Sequence, residues 1–566
     1  MSGIPLHSKT LKSVNAVTPY QCNSALPPNL INIIWLKLGD RLWNLASEND
    51  YETGEFLARI TSIDENDARK IGRRHGFEAE RKLQSYDDVY IGRRLRRRKR
   101  GIEDAIVAEM MLSQQVQFIE KLHGFRRYKR APIATAGAPI HVWNLKPSMK
   151  IKEAWQAGFN ASKVTVAVVD DGVDVGHVDL RSAFSPRVSF DFVRFASLPI
   201  PKKSKETQHG TQCAGLVSME GNQCGLGVGH GANLGAIRLL GPDFLNDALE
   251  GDALAFQSDL IDVYSVSWGP KDDGQTADKP ATFTQEAIRN GATRGRNGKG
   301  NMFVWASGNG GTFGDNCALD GYVSNEYTIS FGVVGSSGAP ANYGEGCSSV
   351  IAAVSGGDSM IQTTGFDSTC SVISGSSASA AIASGIIALA LEANPSLTQR
   401  DIQHLIVHTS NSSAIQGVEF TTNAAGLRFH PKVGFGLLDA HELVKRAATW
   451  KNVEEKRSCE KTKLGSGIAD FSDCTEVSKV ERVVIRASIM HPHRGQVQIR
   501  LESPSGTTSE MLPLRVTDSA QDLLDWDFVS VNFFGEDARG TWKLHIISQE
   551  DVEFRVQLKS FKITGQ

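Results

Sequence analysis

Three regimes of hydrophobic patterning follow one another along the 566 residues. Between residues 30 and 90, short apolar runs (Ile31 to Leu38) alternate with helical periodicity (Glu65 to His75), which predicts a small α+β unit. Residues 104–123 fit an amphipathic helix. From Val164, β-branched or aromatic runs (Val164–Val169, Val263–Ser267, Met302–Ala306) alternate with helical stretches (Thr282–Thr293, Thr398–His408). Thr398 and Asp401 have the form of a capping box. This alternation predicts an α/β domain around a parallel sheet. After about residue 450 the period becomes two: Val497, Ile499 and Leu501 alternate with Gln496, Gln498 and Arg500, and Phe554, Val556 and Leu558 alternate again. With the turn Ser503-Pro504-Ser505-Gly506 between them, these runs predict a separate all-β sandwich. Residues 1–29 are polar and irregular. The longest apolar stretch, Ala380 to Leu391, is interrupted by Ser384 and Gly385 and reads as a buried helix, short of the ~18 apolar residues of a membrane span.

A chain of this length divides into roughly two to four domains. The net charge of −2 gives no reason to expect nucleic-acid binding. That average hides two basic clusters, Arg93-Arg94-Leu95-Arg96-Arg97-Arg98-Lys99-Arg100 and Arg126-Arg127-Tyr128-Lys129-Arg130. Such a cluster is a solvated face, a nucleic-acid patch, a localisation signal or a processing site; the first is expected in an exposed loop. The eight cysteines (22, 213, 224, 317, 347, 370, 459 and 474) contain no closely spaced metal-ligand pair, which argues against zinc. They suit disulfides in a secreted protein. The opening residues Met1 to Thr10 carry no apolar core of a signal peptide, which conflicts with that suggestion.

Three segments carry candidate chemistry. The strand-like run Val166-Ala167-Val168-Val169 ends in Asp170-Asp171-Gly172; His209-Gly210-Thr211 follows; Gly375-Ser376-Ser377 opens the long apolar helix. Taken singly, these are a strand-ending turn, a loop histidine and a helix cap. Together, in the order Asp, His, Ser, they match one arrangement of an activated serine nucleophile. His209 supplies the base that a serine hydroxyl needs at neutral pH, and Asp170 fixes its tautomer. Ser377 sits at a helix N-terminus, where developing negative charge is favoured. Val304 to Gly311 reads as a strand running into a glycine-rich turn, where Asn309 is either a turn residue or a donor to an oxyanion.

With these residues in view, the chain resembles a kexin/furin-type proprotein convertase of the subtilisin superfamily. The resemblance rests on Ser265 to Gly274, Val304 to Gly311, Gly434-Phe435-Gly436-Leu437-Leu438-Asp439-Ala440, and Gly535-Glu536-Asp537-Ala538-Arg539-Gly540-Thr541-Trp542. It implies a pro-region at 1–130, with an inhibitory α+β pro-domain at 30–100 and basic cleavage sites after Arg100 and Arg130. It implies a subtilisin-like parallel-sheet catalytic domain at 131–448 and a β-sandwich P domain at 449–566. Asp170, His209 and Ser377 would form the triad, with Asn309 as oxyanion donor. Asp272 and Asp320 would bind arginine next to the cut bond, Asp171 the basic residue before it, and Glu250 and Asp278 one two residues further on. Asp272, Asp315 and Glu345 would hold Ca2+, whose preference for hard oxygen ligands suits them. The implied disulfides are Cys224–Cys370, Cys317–Cys347 and Cys459–Cys474, with Cys213 a free thiol; Cys22 has no counterpart.

The function so implied is a calcium-dependent serine endopeptidase, made as an autoprocessed zymogen, that cleaves precursor proteins after Lys-Arg or Arg-Arg. It would be a monomer of the secretory pathway, inhibited by its own pro-region, with no nucleic-acid partner and no transmembrane anchor in this chain. The alternatives are a catalytically degenerate convertase serving as a binding module and a broad-specificity subtilase. Several departures from the family stand out: Ala381 where it usually has Pro, Pro201-Lys202-Lys203-Ser204-Lys205 where it is aspartate-rich, a shortened loop from Val217 to Gln223, and Ala136 near an acidic ligand position. The shortened loop and Ala136 predict a second calcium site that is altered or missing. Asn160-Ala161-Ser162 and Asn411-Ser412-Ser413 have the form of glycosylation acceptors.

Overall fold

The fold is given by a computed structural model, which describes residues 51–60, 64–74, 77–94, 115–130, 138–241, 245–462 and 467–566. The expected strand at Ile31–Leu38, Cys22, the cleavage site after Arg100 and Ala136 lie outside the described residues.

The first described unit is a helix, Glu65–Arg74, against antiparallel strands β1 (Tyr51–Ile60), β2 (Phe77–Lys82), β3 (Val89–Arg94) and β4 (Val116–Phe125). Two expectations are corrected here. Residues 116–123 are strand, not helix. Val116 and Ile119 fall three apart because β4 meets β1 through a bulge, where Val116 faces Ile60 and Phe118 faces Arg59, and Leu122 continues the spacing because it is buried on the opposite face, with Ala248 and Phe283. A bulge breaks the two-residue alternation and imitates a helical period. Arg93 and Arg94 end β3 and are not in a loop. Since β4 pairs along β1, the α+β unit closes only beyond residue 100. A fifth strand, β9 (Leu245–Asn246), adds to its edge, so that Gly124 faces Asn246.

The central sheet has seven parallel strands in the order β14-β13-β12-β10-β6-β8-β7. They are β6 (Thr165–Asp170), β7 (Phe190–Asp191), β8 (Asn233–Arg238), β10 (Val263–Val266), β12 (Met302–Ala306), β13 (Thr328–Val334) and β14 (Val350–Ser355). Every residue of β6, β10, β12, β13 and β14 is buried, as a parallel sheet covered on both faces requires. The apolar helix Ser376–Ala393 packs across this sheet; it is long and apolar enough to span a membrane, but 89% of it is buried in the fold. Thr398 and Asp401 close the expected capping box on the next helix, Gln399–Thr409.

Beyond residue 456 two four-stranded antiparallel sheets pack face to face. One contains Arg457–Thr462, Arg555–Gly565, Val480–Met490 and Leu523–Ser530; the other Ile468–Asp470, Thr541–Ser548, Val497–Glu502 and Thr508–Leu512. Val497, Ile499 and Leu501 are buried between the sheets, and Trp542 fills the centre. This sandwich joins the α/β layer through a buried cation. Arg482 donates to the carbonyls of Asn325 (2.7 Å) and Thr328 (2.8 Å) and to Gln403 Oε1 (2.5 Å), and burial pushes it down to about 10.

Arg482→Ala strands three buried acceptors and is expected to cost about 3 kcal/mol, read as a lower denaturation midpoint. Arg482→Lys, with no fork to span them, is expected to recover only part of it.

Candidate active site

The ends of the parallel strands and the starts of two helices converge on one point. β6 delivers Asp170 as its last residue. The helix His209–Ser218 begins with His209, and the helix Ser376–Ala393 carries Ser377 in its first turn. Gly375, which leads into the second helix, has φ +87°, a region that side chains disfavour. At Gly210 a Cβ would lie 2.4 Å from the Gly172 carbonyl, so the histidine helix reaches β6 only over a glycine.

His209 Nδ1 lies 2.9 Å from Asp170 Oδ2, and its Nε2 lies 2.9 Å from Ser377 Oγ. The Asp171 N–H donates to Asp170 Oδ1 at 2.8 Å. Burial pulls the His209 pKa down, but the adjacent Asp170, helped by Asp171, outweighs it and holds the imidazole above its ordinary 6.5. Asn309 follows β12. Its Oδ1 accepts the Ser376 N–H at 3.0 Å, which fixes its amide with the NH2 as the donor end. Its own N–H donates to Asp272 Oδ2 at 2.8 Å.

The second basic cluster lies in this cleft as an added strand. β5 (Tyr128–Lys129) pairs antiparallel with β11 (Trp268–Gly269). The Arg130 N–H donates to the Ser267 carbonyl at 3.2 Å, and the Arg130 carbonyl oxygen is 2.6 Å from Ser377 Oγ. Of the four readings of this cluster, a solvated face is excluded: Arg127 and Arg130 side chains are 1% exposed.

Each cation meets carboxylates. Arg130 bonds Asp320, and its Nε lies 3.9 Å from Asp272 Oδ1. Burial pushes Asp320 up to about 6 against the pull of Arg130. Lys129 Nζ is 2.9 Å from Asp171 Oδ2 and also donates to the Glu206 carbonyl. Arg127 donates to Glu250 Oε2 (3.1 Å), Asp278 Oδ2 (2.6 Å) and Tyr322 Oη (2.6 Å), with its guanidinium over the Phe125 ring at 4.0 Å. Burial pushes Glu250 up to about 7, opposed by Arg127 and by the Tyr322 hydroxyl that donates to it. Sequence reasoning missed Tyr322 and the Glu206 carbonyl. Tyr322 stands two residues after Asp320, a nearness that could have marked it; a main-chain acceptor leaves no trace in residue type.

Asp272, Asp315 and Glu345 stand together beside Arg130. Glu345 is raised well above the carboxylate range by burial and then by Asp315 and Asp272. Backbone amides of Asn309, Gly274 and Gly310 donate to the three in turn. A Cβ at Gly308 would lie 2.2 Å from Glu345 Oε1 and one at Gly310 2.6 Å from Asp315 Cβ, so glycine keeps room for these carboxylates. Three hard-oxygen donors are the ligand type that suits Ca2+. His177, Asp179 and Cys224 also converge, but Cys224 is disulfide-bonded and Asp179 accepts the Gln223 and Cys224 amides at 2.9 and 2.7 Å. The shortened loop thus closes onto Asp179 with its own amides.

Lys203 is held between Asp174 (3.6 Å) and Asp367, which masks one charge of the lysine-bearing insert. Disulfides join Cys224 to Cys370, Cys317 to Cys347 and Cys459 to Cys474, and Cys213 is a buried free thiol.

Known proteins match this architecture. The subtilase family model matches residues 161–436, and the proprotein convertase P-domain model matches residues 480–565. Endoprotease aex-5 of Caenorhabditis elegans is 76% identical over 517 residues, spanning 91% of this chain and 96% of that protein. PC3-like endoprotease variant B of Hydra vulgaris is 36% identical over 544 residues, 89% of this chain and 76% of its own. Among solved structures, a serine protease of Aeromonas sobria shares the fold at TM-score 0.63 and 21% identity, over 78% of this chain and 98% of its own. Sequence, fold and relatives agree that the chain belongs to the subtilisin-like proprotein convertases, serine endopeptidases in which a P domain follows a subtilase domain.

Proposed function

We propose that this endopeptidase cuts precursor proteins after Lys-Arg or Arg-Arg, depends on calcium, and is made as a zymogen whose first substrate is its own Arg127-Tyr128-Lys129-Arg130. The observation that carries this reading is the position of Arg130: its carbonyl is 2.6 Å from Ser377 Oγ while its guanidinium bonds Asp320. In this reading residues 1–130 are the pro-region, 131–448 the catalytic domain and 449–566 the P domain. The protein works in the secretory pathway on basic-site precursors, with its pro-region as inhibitor.

His209 takes the Ser377 proton as the oxygen attacks the Arg130 carbonyl carbon. Asp170 holds the imidazole and stabilises its cationic form. Asn309 donates to the oxyanion as the tetrahedral intermediate forms. The C–N bond then breaks, His209 protonates the leaving amine, and water hydrolyses the acyl-enzyme by the reverse sequence. Asp320 and Asp272 select arginine at the cut bond, Asp171 selects the base before it, and Glu250 and Asp278 favour Arg at Arg127's position. An apolar side chain entering these pockets leaves buried carboxylates unpaired. Asp272, Asp315 and Glu345 would hold Ca2+, which would add its positive charge to that of Arg130 and Arg515 among the three carboxylates.

The Ser377→Ala protein is expected to stay uncut after Arg130 when wild type is processed, as read by the N-terminal sequence of the purified chains. On fluorogenic Arg-x-Lys-Arg peptides the matured enzyme should lose activity on chelation and regain it with added calcium; rates equal to those of Ser377→Ala would defeat the proposal. Asp320→Asn is expected to lower kcat/KM on these peptides by about 10²-fold or more, because one partner of a buried charge pair is lost. The pH profile follows from His209. Only neutral imidazole accepts the Ser377 proton, and a raised pKa delays that form to higher pH, so kcat should climb through a midpoint above 6.5. Asp170→Asn removes the anion that raises it; the midpoint should fall and kcat drop about 10⁴-fold.

A further inference from the structure

The segment that leads out of the Thr508–Leu512 strand of the sandwich reaches onto the two loops that bear the cleft acids. Arg515 is completely buried there. Its Nη2 lies 2.8 Å from Asp315 Oδ1 and 3.0 Å from the Thr276 carbonyl, and its Nη1 lies 2.8 Å from Asp518 Oδ2. Asp518 Oδ2 also accepts from Arg494 Nε at 2.9 Å, and Arg494 Nη2 donates to the Gln275 carbonyl at 2.6 Å. Thr517 Oγ1 lies 3.1 Å from the carbonyl oxygens of both Gly274 and Phe313.

These side chains therefore grip residues 274–276 on one loop and residues 313–315 on the other. The two loops also clasp each other, since the Gly274 N–H donates to Asp315 Oδ2 at 2.8 Å. The first loop carries Asp272 two residues upstream, and the second carries Asp320 five residues downstream. Asp320 bonds the Arg130 guanidinium and Asp272 Oδ1 approaches its Nε to 3.9 Å, one acid from each loop. The side chains that hold the Gln275 and Thr276 carbonyls, Arg494 and Arg515, both belong to the sandwich.

We propose that Arg515 and Thr517 are positioning residues for the arginine pocket, through which the P domain sets the separation of Asp272 and Asp320. This rests on the proposed role of those two acids. The physical basis is the shape of the ligand. A guanidinium is a rigid planar fork that needs its two acceptors at a fixed spacing, whereas an ammonium is a point charge on a flexible stem. A pocket whose walls drift apart therefore loses arginine before lysine. General loss of fold would lower both together.

The test uses the matured full chain, with competent sites counted by a serine-directed phosphonate, and two peptides, Arg-x-Lys-Arg and Arg-x-Lys-Lys. Arg515→Gln is expected to raise KM on the first about tenfold with kcat per titrated site nearly unchanged, and to narrow the arginine-over-lysine preference about fivefold. Arg515→Lys keeps the charge without the fork and should fall between Arg515→Gln and wild type. Thr517→Val, which leaves the ion pairs intact, should narrow the preference about twofold. Titratable Arg515→Gln enzyme with the wild-type preference overturns the proposal, however little of it folds. If Arg515→Gln gives no titratable enzyme, Thr517→Val decides, and an unchanged preference overturns it. A wild type that cuts both peptides equally defeats the pocket assignment as well; a discriminating wild type with equally discriminating variants defeats this inference alone.

Discussion

A buried guanidinium and a buried carboxylate are each expensive alone and tolerable together, and the cleft is built on that constraint. Asp320, Glu250 and Asp171 are almost wholly removed from solvent, at 6%, 0% and 3% exposure, and so are the two arginines. Removing one partner of such a pair costs about 3–5 kcal/mol, because the other is left uncompensated. The matching is positional. The first and last arginines of Arg127-Tyr128-Lys129-Arg130 each touch acids from two separate loops or helices, and the lysine between them touches the residue after Asp170. Tyr128, which meets no acid, points outward at 38% exposure. The strand pairing with Trp268–Gly269 turns Tyr128 away from Lys129, since alternate residues of an added strand face opposite ways, and Arg130, past the paired residues, turns into its own pocket.

The segments that carry these charges are tied to one another. Asp278 and Asp320 belong to neighbouring backbone segments, with Asp278 N donating to the Leu319 carbonyl and Gly321 N to the Asp278 carbonyl. The Cys317–Cys347 disulfide ties the Asp320 segment to the one bearing Glu345. Trp305 stacks on Tyr322 and meets Trp268 edge-on, so the Arg127 pocket and the strand beside Lys129 share one aromatic wall. Like charges would spread these segments if the links were soft.

Local signals carried a large share of this into the sequence. Asp170 ends a run of buried β-branched residues, and Ser377 opens a continuously apolar helix that the sequence reads as buried; both positions follow from hydrophobic patterning. The cleft acids did not follow from periodicity. They lie outside the regular runs, and only the resemblance to a family assigned them. The bulge in β4 hid a strand behind a helical spacing. The contacts of Arg482 and Arg515 with the α/β layer join residues about 80 to 240 positions apart, where no local pattern marks the partner. Tyr322 fell between the two cases: its neighbour Asp320 was visible, but its hydroxyl works only because Glu250 arrives from another helix.

The contacts between the basic segment and the cleft also bear on what the proposed cleavage would leave in place. The ion pairs of Arg127, Lys129 and Arg130 all lie on the N-terminal side of the bond after Arg130. So does the docking of Ser85 and Gln84 amides onto Asp252, at 2.7 and 2.8 Å, and the pairing of β4 with β9. Breaking the Arg130–Ala131 bond removes none of them. On the proposed cleavage the product would keep these contacts, less the single acyl linkage, and would still fill the cleft that made it. An enzyme whose proposed specificity rests on ion pairs before the cut bond would on these grounds be inhibited by its own first product, until a second event broke up the segment itself.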